Sequence, residues 1–459
     1  LKGILLKILK VKYIGKCILI KKIGKVSTTK KEYKKLIILA CVLFILILLR
    51  DYFNVAINNI IYIIYYAFAL AIMDNEERIS FFLFSIPFMH GLPFNYLIIE
   101  YIVVEIIKNY KSFRLEKSYF IIPLILLVEL INIFLYGGNF LTYLRWTLPF
   151  VVIIIKIFSQ VNRGDTLKSL ISFIIGSSIA GALVISIALK FYSIQEIFIR
   201  QYRIGNVEEF FVNSKIFTTF NSNELGIYIL INISLLMLIY SNKLMSTKFI
   251  AVLTSVNILI GIMTFSKTFI LVFCIQLIIL FAININKRLL LISLTSVLMI
   301  SLLWNQIMEI IKKITFRFSL QIGDARVYIF NEYNSKIEFS KIFLGVGVQN
   351  YYKFYNVGAS SHNAIQEIIL AGGLIDLFFI IILFGMIVGM SIQTNKSIRF
   401  TNYLPMISYL IAIQFHQFIG SVQAIFLIII IYYALIINSE SEDNIISNKN
   451  ININDILID

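Results

Sequence analysis

The sequence predicts an all-α polytopic integral membrane protein, with about 14 transmembrane helices and two longer external segments. Three observations lead there. Mean hydropathy is +0.87. Hydrophobic residues make up 59% of the 459 residues and Asp, Glu, Lys and Arg only 14%, far less polar surface than a soluble chain of this length needs. Apolar runs of membrane-spanning length also recur down the chain, and lipid is the solvent that accommodates them.

The chain opens on a basic tail, 1–35, with twelve lysines against one glutamate. A formal net charge of +16 would suggest a nucleic-acid partner in a soluble protein. Here most of the surplus sits in that tail, which reads as cytoplasmic and membrane-facing, so no nucleic acid is expected. Leu5, Leu6, Leu9, Ile14 and Ile18 are interleaved with the lysines, as in a helix lying along the lipid surface. A cleavable signal peptide is not expected: the run from 36 onward lacks a small-residue cleavage site, and span follows span. A single transmembrane domain, 36–437, comes next.

Its first spans are expected at 36–49 and 55–73. Residues 79–107 divide at Pro87, Gly91 and Pro93 into a pair, with His90 at the outer turn. Spans at 119–136, 142–158 and 168–190 precede the first long polar segment, 191–223. Four more, at 224–240, 248–264, 267–283 and 288–303, precede the second, 304–362. Spans at 363–390, 402–416 and 420–437 complete the domain. The tail from 438 is Asn-rich and mildly acidic, with Glu440, Glu442, Asp443, Asp455 and Asp459 against one lysine, and reads as disordered. The three cysteines, Cys17, Cys41 and Cys274, are too scattered for a disulfide or metal framework.

Basic clusters in the N-terminal tail and at 108–117, 163–168, 243–248, 287–288 and 396–399 all fall on one side of this topology. The positive-inside rule makes that side cytoplasmic. Both termini are then inside, and 191–223 and 304–362 are outside. Arg200, Arg203, Lys215, Arg317, Arg326, Lys336, Lys341 and Lys353 run against the bias. Long translocated loops obey it weakly, and external cations also suit an anionic substrate; both explanations stand.

The densest polar constellation begins RFSLQIGDARVYIFNEY, continues KIFLGVGVQNYYKFY and ends SSHNAIQEIILAGGL. Arg326 lies in its first part. Gly345 and Gly347 make a compact turn. His362 and Asn363 stand where the chain enters the next span. A neutral imidazole there can act as a general base, or serve as a structural hydrogen-bonding group. Gly372 and Gly373 suit close helix packing. The other segment carries RQYRIGNVEEFF and TTFNSNELGIYI. Arg200 and Arg203 can grip phosphates through their guanidinium forks. Asn223 can cap a helix or touch substrate. Ser266 and Lys267 interrupt an apolar stretch at the outer surface, where a lysine either snorkels or faces a polar cavity. Arg145 beside Trp146 fits an interfacial belt. Glu100, Glu105 and Glu129 interrupt apolar runs and call for helix–helix contacts or a water-lined groove.

From about Arg200 to Ile392 this ordered set resembles the superfamily of bacterial O-antigen polymerases and O-antigen ligases, most closely the Wzy-type polymerases of capsule and exopolysaccharide repeat units. The shared elements are an external Arg (Arg203) followed by Asn-Glu-Leu-Gly from Asn223, and an Arg in the large loop (Arg326). Gly-X-Gly at Gly345 and Gly347 comes next, then His-Asn at His362 and Asn363, and Gly-Gly at Gly372 and Gly373. The usual Ser-Arg pair is Ser266–Lys267 here, which keeps the charge but loses the bidentate fork.

The resemblance implies a multi-pass enzyme of the cytoplasmic membrane. It would join polyprenyl-diphosphate-linked oligosaccharide repeat units at the outer face by inverting, metal-independent glycosyl transfer. His362 would be the base, with Arg326 and Arg203 as the diphosphate clamp. Lys267, Arg200, Arg317 and Asn363 would contact substrate. No cofactor is implied. Donor and acceptor would both be lipid-linked glycans, and a flippase and a chain-length regulator of the same pathway are the expected protein partners. Alternatives are a ligase moving a finished glycan to lipid A core or a cell-wall acceptor, a flippase or transporter, and a non-enzymatic scaffold. A transporter would need discontinuous helices or inverted repeats, and the charged residues are expected in a loop rather than at the bilayer midplane.

Overall fold

The computed structural model describes residues 32–91, 93–111, 114–115, 117–159, 165–193, 222–264, 266–283, 325–348, 350–357, 361–394, 398–415 and 424–437. Among these residues every regular element is helical, apart from one antiparallel bridge between Leu115 and Ser159. The longer helices are α1 (Glu32–Asp51), α2 (Asn59–Ile72), α3 (Asn75–Ser85), α4 (Phe94–Asn109), α5 (Ile121–Tyr136), α6 (Phe140–Ile157) and α7 (Thr166–Phe191). They continue with α8 (Ser222–Ser241), α9 (Thr247–Met263), α10 (Lys267–Ile283), α11 (Ala325–Lys336), α12 (Ala364–Thr394), α13 (Phe400–Ile413) and α14 (Ala424–Ile437). Four of them, α6, α7, α8 and α12, are long and apolar enough to cross a membrane. The expected span at 288–303 and nearly all of the two tails lie outside the described residues.

Local chemistry sets the helix boundaries. A helix start leaves backbone N–H groups without partners, and short polar side chains accept from them. The Asn58 side chain accepts from Ile60 N–H, Asn139 from Leu141 and Thr142, and Asp165 from Lys168. The prolines divide 79–107 as expected. α3 ends at Ser85, a 3-10 turn spans Ile86–Gly91, and α4 starts after Pro93. His90 is in that turn, its side chain outside the described set.

Inter-helix contacts define two ends of the bundle. At one, Lys35 Nζ donates to the Ile72 carbonyl at 2.9 Å and pairs with Glu77 at 3.3 Å. There too Asn75 meets Asn109, Leu115 bridges Ser159, and Arg399 reaches the Ser241 carbonyl. At the other, Lys190 reaches the Tyr52 carbonyl and Asn350 the Gly137 carbonyl. Ser266 meets Asn223, and Asn363 meets the Gln414 carbonyl, at this same end. The described basic residues Lys108, Lys111, Arg114, Lys243 and Lys248 belong to the first end. The His362 region belongs to the second.

α8 and α14 form the centre, with apolar side chains buried on all their faces. Phe426 of α14 packs edge-on against Phe82 of α3, and Asn402 of α13 donates to the Ala434 carbonyl. Buried amides and hydroxyls stitch the helices together. Asn232 donates to Asn257, which donates to Ser178; Gln276 donates to Ser234 and Ser408. Large apolar side chains face outward on the peripheral helices, among them Ile64, Phe68, Phe134, Ile278 and Ile381. Such rows suit lipid, not water.

Charge is not confined to loops: several ionisable side chains are buried between helices, as the run-interrupting Glu105 and Glu129 require. Arg78, Glu105 and Lys156 are fully buried where α3, α4 and α6 meet. Arg78 Nε and Lys156 Nζ each donate to Glu105, on separate oxygens at 2.7 Å. Arg78 also donates to the Met73 carbonyl and to Asn75. Burying these charges is tolerable because each is paired. Glu129, Glu367 and Asp376 are likewise buried within helices. α12 is also interrupted: Gly373 has φ 72° inside it.

Candidate functional site

Three helix starts, one helix end and α11 gather at the second end of the bundle. Ser266 Oγ donates to Asn223 Oδ1 at 3.1 Å, which joins the start of α8 to the start of α10. A side chain at Gly226 would press on Ser266, so glycine is what permits that approach. Asn223 and Ser266 are therefore neighbours although 43 residues separate them. Lys267 is the first residue of α10, beside this junction, and its side chain is outside the described set.

Asn363 caps α12: its Oδ1 accepts the Gln366 N–H at 2.9 Å, and its Nδ2 donates to the Gln414 carbonyl after α13. His362 precedes that cap and is half-buried. Ser361 Oγ donates to Gln366 Oε1, while Gln366 Nε2 donates to the Phe330 carbonyl and to Asn334 Oδ1, each at 2.9 Å. Gln366 thereby clamps α11 against the first turn of α12. Arg326 lies one helical turn before Phe330, about 6 Å along the axis, in the helix that Gln366 holds at this end. Its side chain is outside the described set.

Between the α8 and α12 starts runs a buried polar path. Glu224 and Tyr409 lie within electrostatic reach of Tyr228, and Glu367 within reach of Tyr409. Glu367 is fully buried in the first turn of α12, where a negative charge is favoured by the helix dipole.

The described part of the second polar segment folds onto the bundle. Tyr333, Val346, Tyr351, Tyr355 and Val357 make a small core against Leu370 and Ala371 of α12. Burial pushes the Tyr355 hydroxyl up to about 12, so its ring stays neutral at ordinary pH. Gly345 and Gly347, at φ 67° and 93°, turn the chain inward. Val346 N–H then donates to the Leu370 carbonyl, and Gly347 N–H to the Ala371 carbonyl at 2.7 Å. The Val348 N–H donates to both oxygens of Glu129 on α5. A Cβ at Gly345 would lie 2.2 Å from the Ala371 carbonyl oxygen, and one at Gly373 would lie 2.1 Å from that of Phe343. The Gly-X-Gly and Gly-Gly pairs are thus two halves of one backbone-to-backbone contact, a closer relation than simple helix packing.

Of the residues singled out in the sequence, His362, Asn363 and the backbones of Arg326 and Lys267 reach this end. Arg200, Arg203 and Arg317 lie outside the described residues. Arg145 is exposed next to buried Trp146, which packs on Phe150. Glu105 found helix–helix partners and Glu129 a loop amide; Glu100 is half-buried. Sequence reasoning passed over Gln366, Glu367 and Asp376, where acid and amide side chains within apolar helices were the available signal. The arrangement offers an imidazole, a buried acid and helix N-termini at one bundle end. That is suited to proton abstraction and anion stabilisation. Among the described residues no group of three or more His, Cys, Asp and Glu has metal-site geometry. In comparison with known proteins, no family model matches the chain and no curated protein matches it.

Proposed function

We propose that this chain is a membrane glycosyltransferase that polymerises polyprenyl-diphosphate-linked oligosaccharide repeat units at the outer face of the cytoplasmic membrane. About 14 spans place both termini in the cytoplasm, with the basic-loop end of the bundle inside. The observation that carries the reading is the gathering of His362, α11 with Arg326, and the paired starts of α8 and α10 at the end opposite the basic loops.

In this reading His362 takes the proton of an acceptor hydroxyl. That oxygen attacks the anomeric carbon of the donor, the bond from that carbon to the diphosphate oxygen breaks, and the configuration inverts. Arg203 and Arg326 hold the departing diphosphate, and Lys267 adds a charge at the α10 start. Arg200, Arg317 and Asn363 position the lipid-linked substrates. The lipids stay in the bilayer while their sugars reach the folded external segment.

The test is purified protein with a synthetic lipid-diphosphate repeat unit. A ladder of lengthening glycans is expected. A single transfer onto a different acceptor would mark a ligase. A transport reading draws on the break at Gly373 beside buried acids, since discontinuous helices build substrate sites in transporters. Lipid or ion flux without glycan transfer would establish it.

A further inference from the structure

The break in α12 carries a buried polar cluster, which the proposed transfer does not use. Asp376 lies one turn beyond Gly372 on α12, and its carboxyl folds back over that glycine. A Cβ at Gly372 would fall 1.9 Å from Asp376 Oδ2, so only glycine leaves the space. Across from it on α5 stand Glu129 and Asn132. The Glu129 oxygens lie 3.5 and 3.7 Å, and Asn132 Cβ 3.4 Å, from where a Cβ on Gly347 would be. Asn132 Nδ2 donates to the Leu344 and Ala371 carbonyls. Those two contacts fix which way the amide faces and direct its oxygen elsewhere. The Ala371 carbonyl that Asn132 binds adjoins the Gly372 over which Asp376 folds, so the α5 and α12 groups meet at this point.

The donors do not match the acceptors. Asp376 Oδ1, Asp376 Oδ2 and Asn132 Oδ1 meet no hydrogen-bond donor among the described residues, and both residues are 0% exposed. The Glu129 oxygens share one donor, the Val348 N–H. No described Lys or Arg forms an ion pair with either carboxyl. Two carboxylates without counter-charge are strongly disfavoured in such surroundings.

We propose that Glu129, Asp376 and Asn132 form a binding site for one calcium ion. Two carboxylates balance its charge, and the amide oxygen adds a neutral ligand. Calcium accepts carboxylate and amide oxygens in irregular geometry, whereas magnesium demands an octahedron and keeps several waters. A bound ion ties α5, the Gly345–Gly347 turn and the break in α12 into one unit. The site is independent of the polymerase reading and stands or falls without it.

The experiment uses the full chain, purified in detergent and stripped with EGTA, at neutral pH. Calcium binding is measured by calorimetry, and thermal unfolding is followed in CaCl2, MgCl2 and NaCl at matched ionic strength. One saturable calcium per chain is expected, with a raised melting temperature that magnesium and sodium do not reproduce. Asp376→Asn and Glu129→Gln should each abolish both effects. Each also removes a buried charge, so the calcium-free variants should melt no lower than calcium-free wild type, which separates lost binding from misfolding. No saturable binding by wild type, binding that survives in both variants, or an equal response to magnesium overturns the proposal. So does stabilisation by acid pH with no calcium response, which would mean that the carboxyls are neutralised by protons.

Discussion

His362 is half-buried beside a cap that its neighbour Asn363 provides. The cap does not need the imidazole, so His362→Ala should keep membrane abundance near wild type while polymer formation is lost. A normal glycan ladder at matched protein level removes His362 as the base. Arg326→Lys should be severely impaired because charge without the fork geometry grips a diphosphate poorly, and Arg203→Ala should weaken donor binding. Lys267→Arg, which installs the residue of the resembled family, should stay active. The buried triad gives a separate contrast. Glu105→Gln leaves Arg78 and Lys156 uncompensated and should cost about 3–5 kcal/mol, whereas Lys156→Met keeps the Arg78–Glu105 pair and should cost less. Thermal unfolding in detergent measures both. Individual polar residues were legible in the sequence where they open a helix, as with Asn223 and Asn363. Partners were not: Asn132 and Ala371 are 239 positions apart, and nothing local announces their contact.

Helices were the most legible feature, because apolar length and proline positions determine them directly. The division of 79–107 at Pro87 and Pro93 is such a case. The break in α12 was hidden, since Gly372 and Gly373 sit in an unbroken apolar run and only the docking of the Gly345–Gly347 turn explains the positive φ at Gly373. That contact is testable. Gly345→Ala meets both a left-handed backbone and the Ala371 carbonyl. It should destabilise by about 1–3 kcal/mol, the usual range for overpacking. Protease sensitivity within 337–357 should rise, and unchanged melting together with unchanged proteolysis would mean that the turn does not need its close approach.

At the scale of the molecule, the contacts separate a basic-loop end from the His362 end, and the proposed orientation puts the first in the cytoplasm. Impermeant thiol labelling in intact cells reads this out, in a background without Cys17, Cys41 and Cys274. Cysteines at Asn213 and Asn334 should react from outside, and one at Lys111 should not. Lys111 is the better inner probe because Asn109, in the same basic stretch, is buried against Asn75. Protection at both outer positions with reaction at Lys111 would invert the topology.

The proposed function rests on the residues gathered at the His362 end, and one measurement tests it most directly. Wild-type protein and His362→Ala, at equal amounts in lipid vesicles, are given a polyprenyl-diphosphate-linked repeat unit, and the glycans are resolved by length. A ladder of multiple repeats from wild type, absent from His362→Ala, is the predicted result. No chain extension by wild type, with the intact lipid-linked unit simply moved across the bilayer, would contradict it.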